Sequence, residues 1–228
     1  MTATSAGSPS VSGSASITTI AVTVDTLLVD EDGNSPDTKS FYDAALTGAG
    51  VAHDVWDLNA KPDLPVKYME AFKNIVWFTG NTYPGPILPY ERSLTAYLDN
   101  GGHLLLSGQD LLDQGAGSTD FVRNYLHVDW DGSEAQNDKA TTAFHGVPGS
   151  LTDGIGAVTR DPVLGAPFMD ELTLNAGDPI FTDDAGQTDG MSYAGTYKVV
   201  FLAFGFEEYG TSAQKSDFIT RVFTFFAS

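Results

Sequence analysis

Cysteine is absent from this 228-residue chain. That removes disulfides, thiolate metal sites and cysteine nucleophiles together. Basic residues are scarce: 11 Lys and Arg stand against 30 Asp and Glu, a formal charge of −19. Such a surface repels nucleic acid and anionic lipid, since both need positive charge to bind. No apolar run approaches the ~20 residues that span a bilayer. The opening residues lack the basic start and apolar centre of a signal peptide. No glycine motif of the form G-x-x-x-x-G-K-[ST] or G-x-G-x-x-G follows a strand, and the first strand–helix loop is acidic. Flavin and nucleotide are therefore not expected as cofactors.

What is present is a 42% hydrophobic share, enough for a real core. Residues 1–16 (MTATSAGSPSVSGSAS) are uncharged and rich in Ser, Gly, Ala and Thr, which reads as a flexible linker. A linker directly after Met1 suggests a piece of a longer chain or a processed form. Residues 17–228 are then expected to form one α/β domain. The acidic balance suits a secreted or cell-surface protein, extracellular in location and surrounded by Ca²⁺-rich fluid or cationic partners.

Apolar runs alternate with helical spacing along that domain. An edge strand is expected over 17–24. Thr26–Val29, Ile75–Phe78, Leu104–Leu106 and Val199–Phe204 are fully apolar, the pattern of strands buried on both faces. His53–Leu58 alternates. Helices are expected over 36–50, 66–72, 89–100, from Thr119 onward, and over 216–226. This order predicts a three-layer α/β/α architecture around a mostly parallel sheet. The stretch from about 130 to 195 lacks helical periodicity and reads as an irregular insertion. Its short β candidates are Ala157–Thr159, Leu172–Leu174 and Ile180–Thr182.

Ligands of open parallel sheets bind beyond the strands' carboxyl ends. Those ends carry Asp30, Asp32, Asn81, Ser107, Gln109, Asp110 and Glu207, the candidate ligand-binding set. Carboxylates without His or Cys make a hard-ligand set, and Asp30, Asp32, Asp110 and Glu207 are the candidate metal ligands, with Ca²⁺ as the cofactor expected. Between Asp25 and Asp37 there are five acids and no base, so a cation is the natural neutraliser. An EF-hand is excluded: counted from Asp30, position 6 is Ser35 and position 12 is Phe41. Simple helix capping and solvation by the same acids is the competing reading. Ser107 lacks the G-x-S-x-G elbow of α/β-hydrolases. A hydrolase (esterase, peptidase or glycosidase) using Ser107 with His145, or the crest carboxylates, stays open as the alternative.

Several segments together resemble a known family: LLVDEDG (27–33), FYDAAL (41–46), HDVWDL (53–58), IVWFTGN (75–81), LTAYLDNGGHLLLSGQDL (94–111), FVRNYLHVDW (121–130) and FLAFGFE (201–207). They look like the class I glutamine amidotransferase-like, flavodoxin-type domains of secreted bacterial and archaeal peptidases, immune-inhibitor-A-like or subtilisin-like. The likeness covers about 25–130 and 199–226. It implies the amidotransferase scaffold, in which a Cys occupies the strand–helix elbow and a His-x-Glu follows a late strand. Here Gln109 stands at or next to the Cys position and Gly205 at the His position, with only Glu207 matching. The resemblance thus implies a pseudoenzyme: a non-catalytic accessory domain of a larger protein. Its partners would be other domains or subunits, a polysaccharide or a protein, with no nucleic acid and no membrane insertion.

Overall fold

The computed structural model describes residues 2–4, 7, 12–14, 21–83, 87–113, 119–132, 136, 139–166 and 168–228. Within the 1–16 stretch, β1 (Thr2–Thr4) and β2 (Ser12–Ser14) pair antiparallel. Of the edge strand expected over 17–24, residues 17–20 lie outside the described residues and 21–24 are not strand.

The main sheet begins with β3 (Thr26–Asp30), β4 (His53–Asp57), β5 (Asn74–Phe78) and β6 (His103–Ser107). Further along come β7 (Ala143–Gly146), β8 (Ala157–Thr159), β9 (Asp178–Thr182), β10 (Thr188–Ala194) and β11 (Lys198–Leu202). Their spatial order is β4-β3-β5-β6-β11-β10-β9-β7-β8, nine strands in one sheet. The first five of that order are parallel, and the four expected apolar runs all fall among them.

The sheet as a whole is mixed, which corrects the mostly parallel expectation. The 130–195 stretch extends it by four antiparallel strands. The reason is connection length. Only Gly195, Thr196 and Tyr197 separate β10 from β11, and so short a link can join only antiparallel neighbours. Strand β10 was hidden in the sequence because Asp189, Gly190 and Ser192, all buried, break its apolar pattern. Leu172–Leu174 is not a strand; Leu174 makes one isolated bridge to Val128.

Helices cover both faces, as a three-layer fold requires. On one side α1 (Lys39–Gly48) and α5 (Ser212–Ala227) bury Tyr42, Leu46, Phe218 and Val222 against Leu28, Val76, Leu105 and Val200. On the other, α2 (Val66–Met69), α3 (Glu91–Asp99) and α4 (Asp120–Asn124) bury Met69, Leu94, Leu98 and Phe121 against Leu27, Ile75, Leu104 and Val199. Alternate residues of each strand thus feed opposite cores, the period-two consequence of the pleat. Helix α5 starts at a capping box, with Thr211 and Gln214 each bonding the other's backbone N–H. Among the described residues no helix is long and apolar enough to cross a membrane.

Candidate functional site

Strands β3, β5, β6 and β11 run parallel in register, so their carboxyl ends share one crest. Asp30, Asp32, Ser107, Gln109, Asp110 and Glu207 are all buried there, and Asn81 is half-buried.

At the end of β3, Asp32 organises the turn into α1. Its Oδ1 accepts from the Asn34 N–H at 2.8 Å, and its Oδ2 accepts from the Thr38 N–H at 2.5 Å and the Thr38 hydroxyl at 2.8 Å. One carboxylate oxygen from each of Asp30, Asp32 and Asp37 lies within 4.8 Å of the others. Asp30 and Asp32 are buried while Asp37 is exposed. Burial, and then the charge of Asp32, push the Asp30 carboxyl up to about 7. Among the described residues this is the one group of three or more candidate metal ligands. The geometry therefore gathers Asp37 in place of Asp110 and Glu207, which the sequence reading had grouped with Asp30 and Asp32. Asp37 closes the acidic run that begins at Asp25, a signal present in the sequence.

Glu31 points to the opposite face. Trp77 Nε1 donates to its Oε2 at 2.6 Å, and burial pushes its carboxyl up to about 8. No sequence signal marked this pair, because consecutive strand residues reach different cores.

Ser107 is committed to structure. Its hydroxyl donates to Phe204 O at 2.8 Å and accepts from the Phe206 N–H at 2.8 Å, which pins the turn after β11. Tyr42 donates to Glu207 Oε2 at 2.7 Å, with its oxygen 3.2 Å from Ser107 Oγ. Glu207 is fully buried, and burial pushes its carboxyl up to about 7. Its Oε1 has no hydrogen-bond partner among the described residues.

The elbow after β6 carries its strain at Asp110, whose φ is +49°, a conformation uncommon outside glycine. Asp110 N–H bonds Phe168 O at 3.0 Å, and Gln109 Oε1 accepts from the Phe168 N–H at 2.5 Å. Gln109 is thereby occupied in holding the 168 segment over the crest. Gly205 precedes Phe206 and Glu207 in a crowded turn, where a side chain would require neighbouring side-chain ends to move. A Cβ there would meet the Glu207 carboxyl and Leu164, each at 2.8 Å.

The structure does not bring a histidine to Ser107. His145 Nε2 bonds Asp184 Oδ1 at 2.9 Å in an exposed pair. His53 and His103 begin β4 and β6, at the end of the sheet away from the crest, and His127 bonds the Tyr197 hydroxyl. Next to Glu207, Glu208 is held by Arg160, Nε to Oε2 at 2.6 Å and Nη2 to Oε1 at 2.7 Å. A cleft of 460 Å³ bounded by Leu151, Asp178, Ser192, Arg221 and Phe225 contains none of the crest residues.

No protein-family model matches the chain, and no curated protein matches it in sequence. Solved structures do match in shape. The mmIFT52 N-terminal domain superposes with a TM-score of 0.53 at 14% identity, covering 89% of this chain and 97% of its own. A ThuA-like protein from Bacteroides uniformis gives 0.52 at 10% identity, covering 93% and 96%. At these identities the likeness shows the fold alone, an α/β fold shared with the ThuA-like protein and the mmIFT52 N-terminal domain. Neither a family model nor a sequence relative supports a place among peptidase domains.

Proposed function

We infer that this chain is a non-catalytic accessory or binding domain of a larger secreted or cell-surface protein, acting through its strand-end crest. The observation that carries the reading is the state of the elbow and the late motif. Gln109 spends its amide oxygen on the Phe168 backbone, Ser107 spends its hydroxyl on Phe204 and Phe206, and Gly205 supplies no base. A nucleophile needs an adjacent base to activate it, and none of the four histidines faces this crest. A fold without its site residues does not bring its chemistry along. The −19 charge supports an extracellular setting, with polysaccharide, protein or another domain of the parent chain as partner. The test is fluorophosphonate labelling together with ester, peptide, glycoside and glutamine substrates. No labelling and no turnover are expected; turnover abolished by Ser107→Ala would overturn the reading.

A second reading is a hydrolase that uses crest carboxylates. It is favoured by Asp30 and Glu207, two crest carboxyls each pushed up to about 7, the range of a general acid at neutral pH. Glycoside turnover with a bell-shaped pH profile, lost in Glu207→Gln, would establish it.

A further inference from the structure

We propose that this chain pairs with a second copy of itself through strand β4, edge to edge and antiparallel about a two-fold axis at Val55. The contact lies on the sheet's edge and stands apart from the crest.

The nine-stranded sheet ends in β4 on one side and in β8 on the other. Strand β8 has three residues, whereas β4 runs five residues from His53 to Asp57. An edge strand presents unpaired N–H and C=O groups, and proteins guard it with Lys, Pro or a bulge. The β4 sequence HDVWD carries neither Lys nor Pro, and its register with β3 is unbroken. Leu58 N–H bonds Asp30 O on the β3 side. Bonding direction alternates along a strand. Asp54 and Trp56 therefore also turn their backbone groups to β3, while His53, Val55 and Asp57 turn theirs outward. Among the described residues nothing bonds the Val55 N–H or C=O; on that side Asp57 O takes the Lys61 N–H at 2.9 Å. The Val55 side chain is 43% exposed.

Charge identifies the occupant as a second copy. Pairing about Val55 lets the two Val55 residues exchange both N–H···O bonds. It sets His53 against Asp57 of the second copy on one face, and Asp54 against Trp56 of the second copy on the other. Lys61 Nζ lies 3.7 Å from the Trp56 ring centroid. Neither Lys61 nor Asp54 has an ion-pair partner among the described residues. In the pair, Asp54 of each copy comes beside the ring that carries the other copy's Lys61, so both unpaired charges are matched twice. The patch is self-complementary, as a two-fold contact requires. The neighbouring registers, two residues either way, set Asp54 against Asp54 or Asp57 against Val55, and like charges directly opposite destabilise a sheet.

The experiment is sedimentation equilibrium of the full chain over a concentration series. Each copy carries −19, so the buffer holds about 0.15 M NaCl, at which the Debye length of ~8 Å screens that repulsion. A reversible monomer–dimer equilibrium is expected. Val55→Lys, at an exposed position, should weaken it at least tenfold, while Thr159→Lys, exposed on the other edge strand, should leave it unchanged. Lys61→Glu alone should weaken pairing several-fold, and Asp54→Lys added to it should restore the dimer, a recovery that a misfolded variant does not give. A monomer at every concentration, association that runs on past the dimer, wild-type affinity in Val55→Lys, equal weakening by Thr159→Lys, or no recovery in the double variant would each overturn the proposal. None of these outcomes bears on the substrate panel, so this contact and the non-catalytic reading fail separately.

Discussion

Tyr42 of α1 donates its phenolic hydrogen to Glu207 Oε2 at 2.7 Å, joining groups 165 residues apart in sequence. Both are fully buried, and the same Tyr42 ring stacks on Phe78 with centroids 4.0 Å apart. The hydroxyl bonds the Glu207 carboxyl beside a backbone N–H, and Oε1 has no partner among the described residues. Tyr42→Phe keeps the stacking and removes the side-chain donor to a buried carboxyl. The expected cost is about 1–3 kcal/mol, read from urea denaturation. A cost near zero would mean that another group satisfies Glu207.

Stability should fall as the solution turns alkaline. Glu207 and Glu31 have folded pKa values of about 7 and about 8 against an ordinary 4.5, each raised first by burial. A carboxyl that binds its proton more tightly when folded contributes stability that is complete below pH 4.5. That contribution is lost as pH rises through about 7 for Glu207 and about 8 for Glu31. With EDTA present, the urea midpoint should drop from pH 5 to pH 8.5. Glu31→Gln keeps an acceptor for Trp77 Nε1 and should flatten the upper part of that drop. An equal drop in the variant would assign the effect to other groups.

Gly108 is fixed by contact with Thr79. A Cβ at Gly108 would sit 1.8 Å from Thr79 Oγ1 and 3.1 Å from Thr79 Cβ. Gly108→Ala should cost about 1–3 kcal/mol as overpacking. Thr79 Oγ1 has no partner among the described residues, so deleting it forfeits no hydrogen bond with them. Thr79→Ala should therefore restore part of the loss in the double variant, measured as a double-mutant cycle. Strict additivity of the two changes would show that the strain lies in the backbone.

Much of the scaffold was legible because four apolar strands and the helices between them follow the two simplest periodicities. Leu28, Val76, Leu105 and Val200 face one core and their chain neighbours the other, which an unbroken apolar run announces. The antiparallel half was legible only in part: Ala157–Thr159 is β8 and Ile180–Thr182 lies in β9, while β10, which carries buried Asp189 and Ser192, shows no alternation. The Gly195–Thr196 turn between β10 and β11 was the available sign. At the site, position at strand ends was readable for Asp30, Gln109 and Glu207. Their partners were not: Tyr42, Thr38, Trp77 and Phe168 lie on other elements, and only the fold brings them within hydrogen-bond reach.

Arg160 and Glu208 form the pair whose removal should matter most to the crest's shape. Their side chains are 8% and 0% exposed, joined by bonds of 2.6 and 2.7 Å in a bidentate fork. Burial raises the Glu208 carboxyl and Arg160 acts against it, with a net upward shift. Glu208 also accepts from the Leu164 N–H at 3.2 Å, and its backbone O accepts from the Asp161 N–H at 2.8 Å. The pair thus ties the 160–165 segment to the crest and sets Leu164 against Gly205. Exposed ion pairs are worth ~0–1 kcal/mol, but breaking a buried one strands an uncompensated charge at about 3–5 kcal/mol. Arg160→Ala should show a loss of that size at pH 8 by chemical denaturation. The loss should shrink at pH 5, because Glu208 without its guanidinium can take up a proton in place of the ion pair. Glu208→Gln in the Arg160→Ala background should recover part of the stability, since an amide carries no charge to strand. A loss below ~1 kcal/mol at pH 8 would place the pair among the surface bridges despite its burial, and would leave Leu164 held by apolar packing alone.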